Sequence, residues 1–220
     1  MTMAAPRIRR LFDRFAHVYD TAALQRAVYR PAHDAVVAEL RAAAPMWVLD
    51  AGCGTGILAD RLGDDVGPAR VVGCDLSMGM LRRAAERCPR GAWLQGDALR
   101  LPLRDGVVDA VVTTQAFHFL TDRRGALAEF RRVLRTGGLL VIAMVNPRTF
   151  ITSRVMSGAG THILGAGVWP TRDELRDDIA ASGFEVREQR GVGPLGHTVV
   201  TVATAQRVET VRTRLRHMEG

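Results

Sequence analysis

Residues Val48 to Leu62 read VLDAGCGTGILADRL, and few local structures can accommodate that run. An apolar pair and Asp50 close a strand, and helix-forming residues from Ile57 onward open a helix. Between them Gly52, Gly54 and Gly56 permit a tight turn and let backbone N–H groups approach a ligand with no Cβ in the way. A strand that runs through a glycine turn into a helix N-terminus is built to receive a nucleotide-like ligand. It also sets the start of an α/β domain, and the rest of the chain agrees with that reading.

Strand and helix alternate downstream. Met46 to Leu49, Arg70 to Cys74, Ala92 to Leu94, Val107 to Thr113 and Leu139 to Val145 read as strands. Helices are expected from Ile57 to Leu62, from a Ser77 cap to about Arg87, and from Thr121 or Asp122 to the RTGG run. The glycine pair at 137–138 reads there as a helix stop. This rhythm predicts a parallel sheet with helices on both faces. Thr171 caps a further helix to about Ser182, and Phe184 to Glu188 and Thr198 to Ala203 are two last strands joined by the hairpin GVGPLGH. The expected fold class is therefore a Rossmann-like, seven-stranded, mostly parallel sheet with the last strand antiparallel.

Two segments fall outside that rhythm. Residues 1–41 read as an N-terminal helical cap: Leu11, Phe12, Phe15, Val18 and Tyr19 share one helical face, and Pro31 begins a second helix. Residues 146–170 are glycine-rich and aperiodic, which inside a compact domain suggests a lid or binding segment. The main domain is expected over 42–205, followed by a basic tail at 206–220.

Composition removes several function classes. The formal charge of +7 comes from arginine alone, because the sequence contains no lysine. Neither a phosphate-binding P-loop lysine nor Schiff-base chemistry is available. Cys53, Cys74 and Cys88 form no C-x-x-C pair, so neither a disulfide framework nor a structural zinc is suggested. The longest apolar run, LLVIAMV at 139–145, is too short to cross a bilayer, and the arginine-bearing N-terminus is unlike a signal peptide. A cytoplasmic protein without a transmembrane segment is expected. The basic ends lack interleaved aromatics, so no nucleic-acid partner is expected; a homodimer is left open.

The glycines alone do not choose between NAD, FAD, a nucleoside triphosphate and S-adenosylmethionine. A dinucleotide fingerprint wants a small residue where Ile57 stands. Asp75 closes the second strand, where a carboxylate can accept both ribose hydroxyls. Asp97, in QGDALRLPL, lies at the end of the third, where an adenine edge would sit. One acid for a ribose and one for a base describe a nucleoside without requiring a pyrophosphate.

The stretches VLDAGCGTG, GCDLSMGML, QGDALRLPL and EFRRVLRTGGLLVIA resemble, in order and spacing, the successive motifs of class I S-adenosylmethionine-dependent methyltransferases. LFDRFAHVYD resembles the N-terminal helix of their ubiquinone/menaquinone-biosynthesis-type branch (methyltransferase type 11). The resemblance covers residues 11 to 145 well and the rest by topology. It implies S-adenosyl-L-methionine as cofactor, S-adenosyl-L-homocysteine as product, and a small-molecule methyl acceptor. Carried over by position, it places Asp50, Ala51, Gly52, Cys53, Gly54 and Gly56 along the methionine and ribose parts of the cofactor. It gives the ribose hydroxyls to Asp75, packs Leu76 and Met80 on adenine, and assigns Asp97 and the Ala98 backbone to the adenine edge. Tyr19 closes over the methionine end, and Gln115 stands at the switch point where substrate and methyl group meet.

Methyl transfer from a sulfonium asks mainly for alignment, with a base where the acceptor carries a proton. His118, in TTQAFHFL, is the candidate base, with pocket lining as its alternative role. His17, His162 and His197 are lesser candidates, and His33 reads as a surface helix residue. The region lacks the N-P-P-Y signature of amino methyltransferases and the aspartates of magnesium-dependent catechol enzymes, so no metal is expected. What is left is an apolar or aromatic metabolite, quinone-like or lipid, methylated at O, C or N. The competing reading is a non-catalytic S-adenosylmethionine-binding or regulatory protein on the same fold.

Overall fold

The computed structural model describes residues 29–65, 70–145 and 169–206. The helical face expected around Tyr19, the His17 and His162 candidates, nearly all of the 146–170 segment and the tail beyond residue 206 lie outside the described residues.

In chain order the elements are α1 (Arg30–Ala43), β1 (Trp47–Ala51), α2 (Ile57–Asp65), β2 (Arg70–Asp75), α3 (Met78–Arg87), β3 (Ala92–Gln95), β4 (Val108–Thr114), α4 (Arg123–Val133), β5 (Leu134–Val145), α5 (Arg172–Ala181), β6 (Phe184–Val192) and β7 (Thr198–Ala205). The strands form one sheet in the order β3-β2-β1-β4-β5-β7-β6. The pairs from β3 through β5 are parallel. β7 runs antiparallel to both of its neighbours.

Alternation along the strands divides the core between the two faces. Leu49, Val111, Leu140 and Ile142 join Phe117, Phe130, Leu175 and Phe184 on the face covered by α4 and α5. Val48, Ala110, Val112 and Val141 meet Val36 and Leu40 of α1 and Leu58 and Leu62 of α2 on the other. Both sets are buried, as strands covered on two sides require. The boundary expected between Arg41 and Ala42 falls inside α1, whose apolar face belongs to this second cluster, so that helix is part of the domain.

The helix ends follow local chemistry. The Ser77 side chain accepts from the Met80 N–H, and the Asp122 side chain from that of Gly125. Thr171 and Glu174 form a reciprocal capping box at α5. Asp178, on the buried face of α5, receives Arg123 Nε at 2.8 Å and Arg124 Nε at 2.9 Å, which ties α5 to α4.

The end of α4 differs from expectation. The glycine pair at 137–138 does not stop α4: the helix ends at Val133 and Leu134 already pairs with Val108. The N–H groups of Gly106 and Val107 donate to the carbonyls of Arg132 and Val133, which draws the chain into the sheet at once. The register then slips between Val108 and Ala110, and Gly137, at φ +77°, takes up the irregularity.

Candidate functional site

The strand order reverses between β1 and β4, and a cavity opens at the carboxyl ends of β1, β2 and β4, the switch point where α/β sheets bind ligands. Its volume is about 170 Å³, whereas a single water needs on the order of 10–15 Å³ on the same measure. The space therefore suits an organic ligand rather than trapped solvent.

Backbone bonds that cross from β1 to β2 hold the glycine turn. Gly52 N–H and Cys53 N–H donate to the Cys74 carbonyl at 2.7 and 3.1 Å. Gly54 N–H donates to Asp75 Oδ2 at 2.9 Å, and Ser77 N–H to Asp75 Oδ1 at 2.8 Å. Asp75 thus fixes the turn while lining the cavity. The three glycines share a positive φ but have different surroundings. A Cβ on Gly54 would meet nothing within 4 Å, so this residue presents bare backbone to the cavity. A Cβ on Gly52 would strike Ala116 Cβ. Gly56, expected along the ligand, is instead wedged against Trp93 and Ala84 and is not on the cavity wall.

Ala51, Gly52, Cys53, Gly54, Asp75, Leu76, Met80, Asp97, Ala98 and Gln115 do line the cavity. Asp97 Oδ1 accepts from the Leu99 N–H at 3.0 Å, which shapes the turn after β3. Asp50 lies behind the wall, fully buried, and neither carboxylate oxygen has a hydrogen-bond partner among the described residues. Burial first, and then the charge of Asp75, push its carboxyl up to about 7. An orphaned acid next to a second one favours a cationic ligand nearby. The same surroundings keep the Cys53 and Cys74 thiols protonated, chiefly through burial and then through these acids, with Cys74 pushed up to about 12.

Gln115 follows β4 in a left-handed conformation, φ +54°, which for a non-glycine residue costs on the order of 1 kcal/mol. Its N–H donates to the Ala143 carbonyl, and its Oε1 accepts from the Val145 N–H, both at 2.8 Å. Its Nε2 is buried without a partner among the described residues.

His118, the expected base, is buried but is not on the cavity wall. It stacks on Trp169 with ring centroids 3.8 Å apart and planes 14° from parallel, and burial holds its imidazole down to about 3. The 3-10 turn Phe117–Phe119 explains the displacement: Phe117 enters the core, His118 turns to Trp169, and Phe119 faces the cavity. His197 lies on the hairpin before β7, its Nδ1 3.0 Å from the Pro194 carbonyl oxygen.

The structure adds lining residues that sequence reasoning missed, chief among them Tyr29 and His33. His33 was expected on the surface but is only 4% exposed. The signal was available: His33, Val36, Val37 and Leu40 recur at i, i+3, i+4 and i+7, which puts the histidine on the buried stripe. Thr114, Phe119, Leu120 and Thr121 complete the far wall. Among the described residues no cluster of three or more His, Cys, Asp or Glu is placed to hold a metal ion, and no helix is long and apolar enough to cross a membrane.

Comparison with known proteins gives a consistent set of matches. The family described as "Methyltransferase domain" matches residues 49–142. A malonyl-[acyl-carrier protein] O-methyltransferase of Geobacter sulfurreducens is 38% identical over 188 residues, covering 81% of this chain and 70% of that one. A demethylmenaquinone methyltransferase of Thermus thermophilus is 34% identical over 66% of this chain and 76% of its own length. The solved magnesium protoporphyrin IX methyltransferase of Synechocystis, with bound S-adenosylhomocysteine, superposes with a TM-score of 0.72 at 18% identity over 92% of this chain and 100% of that one, a likeness of fold. Against four further curated malonyl-[acyl-carrier protein] O-methyltransferases the chain spans 52% to 63% of the relative's length.

Proposed function

The chain belongs to the S-adenosylmethionine-dependent methyltransferases, and on that premise we propose that it methylates a small apolar or aromatic acceptor, quinone-like or lipid, in the cavity described above. The observation that carries this reading is the division of the cavity wall. Acids and bare backbone lie at the β1–β2 side, and an apolar wall with two aromatic rings, Tyr29 and Phe119, lies toward α1 and the turn after β4. Of the relatives' names, demethylmenaquinone methyltransferase supports a quinone-like acceptor, whereas malonyl-[acyl-carrier protein] O-methyltransferase names an acyl group borne on a carrier protein.

In this proposal Asp75 takes the ribose hydroxyls, and Leu76 and Met80 pack on adenine. Asp97 accepts from the adenine amino group, and Ala98 offers its backbone to the ring edge. Gly52 and Gly54 let the chain approach the methionine part closely, while Asp50 and Asp75 supply negative potential beside it. Tyr19, by the family resemblance, closes over that end. The cofactor supplies a methyl group on a positively charged sulfur. The protein has to align the acceptor behind that methyl and exclude water, and alignment alone can supply several kcal/mol of the barrier. Gln115, pinned by two hydrogen bonds, fixes the wall at the switch point, and His118 supports that wall through its stack with Trp169.

Calorimetric titration with S-adenosylhomocysteine and with NADH tests the cofactor, and transfer of labelled methyl into candidate acceptors tests the reaction. Saturable binding of S-adenosylhomocysteine and none of NADH is expected. Tight NADH binding without a response to S-adenosylhomocysteine would overturn the assignment. Cofactor binding with no methyl transferred to any acceptor in a cell extract would favour a non-catalytic binding protein.

A further inference from the structure

His33 is the one histidine on the cavity wall among the described residues. Asp97 and Asp75 belong to the β3 and β2 side of the opening. α1 packs on β4, β5 and β7 and against α2. Its first turn abuts the hairpin before β7: a Cβ built on Gly193 would stand 3.1 Å from Pro31 Cβ. That hairpin is at the carboxyl edge of β5 and β6, so Tyr29 and His33 overlook the cavity from the acceptor side. The two rings are 6.2 Å apart and inclined at 52°. The His33 side chain is almost entirely buried.

Resting on the methyltransferase reading, we propose that His33 is the acceptor-facing catalytic residue, hydrogen-bonding the hydroxyl of a phenolic acceptor and taking up its proton as the methyl group arrives. The oxygen lone pair forms the new O–C bond, and the electron pair of the breaking C–S bond stays with sulfur. The O–H proton passes to a ring nitrogen of His33 and from there to solvent. Burial first, and then Arg61 on α2, hold the imidazole down to about 4 against the opposing pull of Asp34, so it is neutral when the acceptor arrives. Neutrality avoids repelling the cationic methyl donor. Weak basicity is no obstacle, because the hydroxyl proton becomes strongly acidic as positive charge passes to the oxygen. The rings of Tyr29 and Phe119 provide surfaces for an aromatic acceptor.

The test uses 2-naphthol as probe, with naphthalene and 2-naphthoate as controls: binding is measured by calorimetry on the full chain loaded with S-adenosylhomocysteine, and transfer on the full chain supplied with methyl-labelled S-adenosylmethionine. Wild type is expected to bind 2-naphthol more tightly than either control and to methylate its oxygen. His33→Ala should bind the probe about tenfold more weakly. His33→Gln, which keeps a hydrogen-bonding group of similar size, should retain most of the binding and lose about 100-fold or more of the transfer rate. Both variants should bind S-adenosylhomocysteine as wild type does, which shows that they are folded. The proposal is overturned if wild type neither binds nor methylates 2-naphthol, if 2-naphthoate is preferred, or if His33→Gln transfers methyl at the wild-type rate. Failure of wild type to bind S-adenosylhomocysteine at all would sink the methyltransferase reading itself, a distinguishable result.

Discussion

Replacing Asp50 with asparagine should make the ligand-free protein more stable in alkali and a poorer host for a cationic cofactor. The carboxyl is fully buried without a hydrogen-bond partner among the described residues, and its pKa rises from 3.8 to about 7. Such a raised value means that the folded state keeps a proton the unfolded chain gives up. The contribution to stability is whole below 3.8 and is lost as pH climbs through 7, after which the buried charge costs roughly 4 kcal/mol. Between pH 5 and pH 8 the wild type should therefore lose about 2–3 kcal/mol relative to Asp50→Asn, whose amide does not titrate. Urea unfolding of both proteins at the two pH values, without ligand, measures that difference directly. In parallel the variant should bind S-adenosylmethionine about tenfold or more weakly at pH 8, since the cation loses a nearby negative charge. A stability gap independent of pH would refute the titration argument. Unchanged affinity would refute the idea that the orphaned acid serves the ligand.

Asp75→Ala should weaken S-adenosylhomocysteine binding about 10- to 100-fold in calorimetry, since it removes the ribose acceptor and leaves the Gly54 and Ser77 N–H groups unpaired. The second and third glycines of the turn should separate function from fold. Gly54→Ala puts a methyl into open cavity and should reduce cofactor affinity for about 1 kcal/mol of backbone strain, whereas Gly56→Ala drives a methyl into Trp93 and Ala84 and should cost several kcal/mol in urea unfolding. His118→Ala removes one ring of the Trp169 stack and should lower stability by about 1–3 kcal/mol while leaving cofactor affinity unchanged, as thermal unfolding and calorimetry would show.

What could be read in the sequence was local. Ser77, Asp122 and Thr171 are caps because short polar side chains reach N–H groups three residues on, and that chemistry needs no knowledge of the fold. Asp75 and Asp97 could be placed because a parallel sheet puts successive strand ends along one edge. Where side chains meet across the fold, the sequence was less informative. Gly56 looks identical to Gly54 in the sequence, and only the position of Trp93 shows that one glycine serves packing and the other the cavity. His118 turns to Trp169 instead of the cavity, and a three-residue 3-10 turn is too short to carry a period that would have shown it. The α1 stripe did carry a period that includes His33, and reading the residue type ahead of the pattern put it on the surface.

The arrangement of β7 has a consequence for how the molecule is assembled. The strand formed by residues 198–205 is the last of the described elements to be synthesised, yet it lies inside the sheet, between β5 and β6, and every residue but one is buried. Until it has emerged, a growing chain holds two bare strand edges, one of them carrying the apolar run Leu139 to Val145. Such edges pair readily with other chains. β7 acts as a keystone: a chain cut short before Thr198 would keep the glycine turn and its acids but would be expected to aggregate.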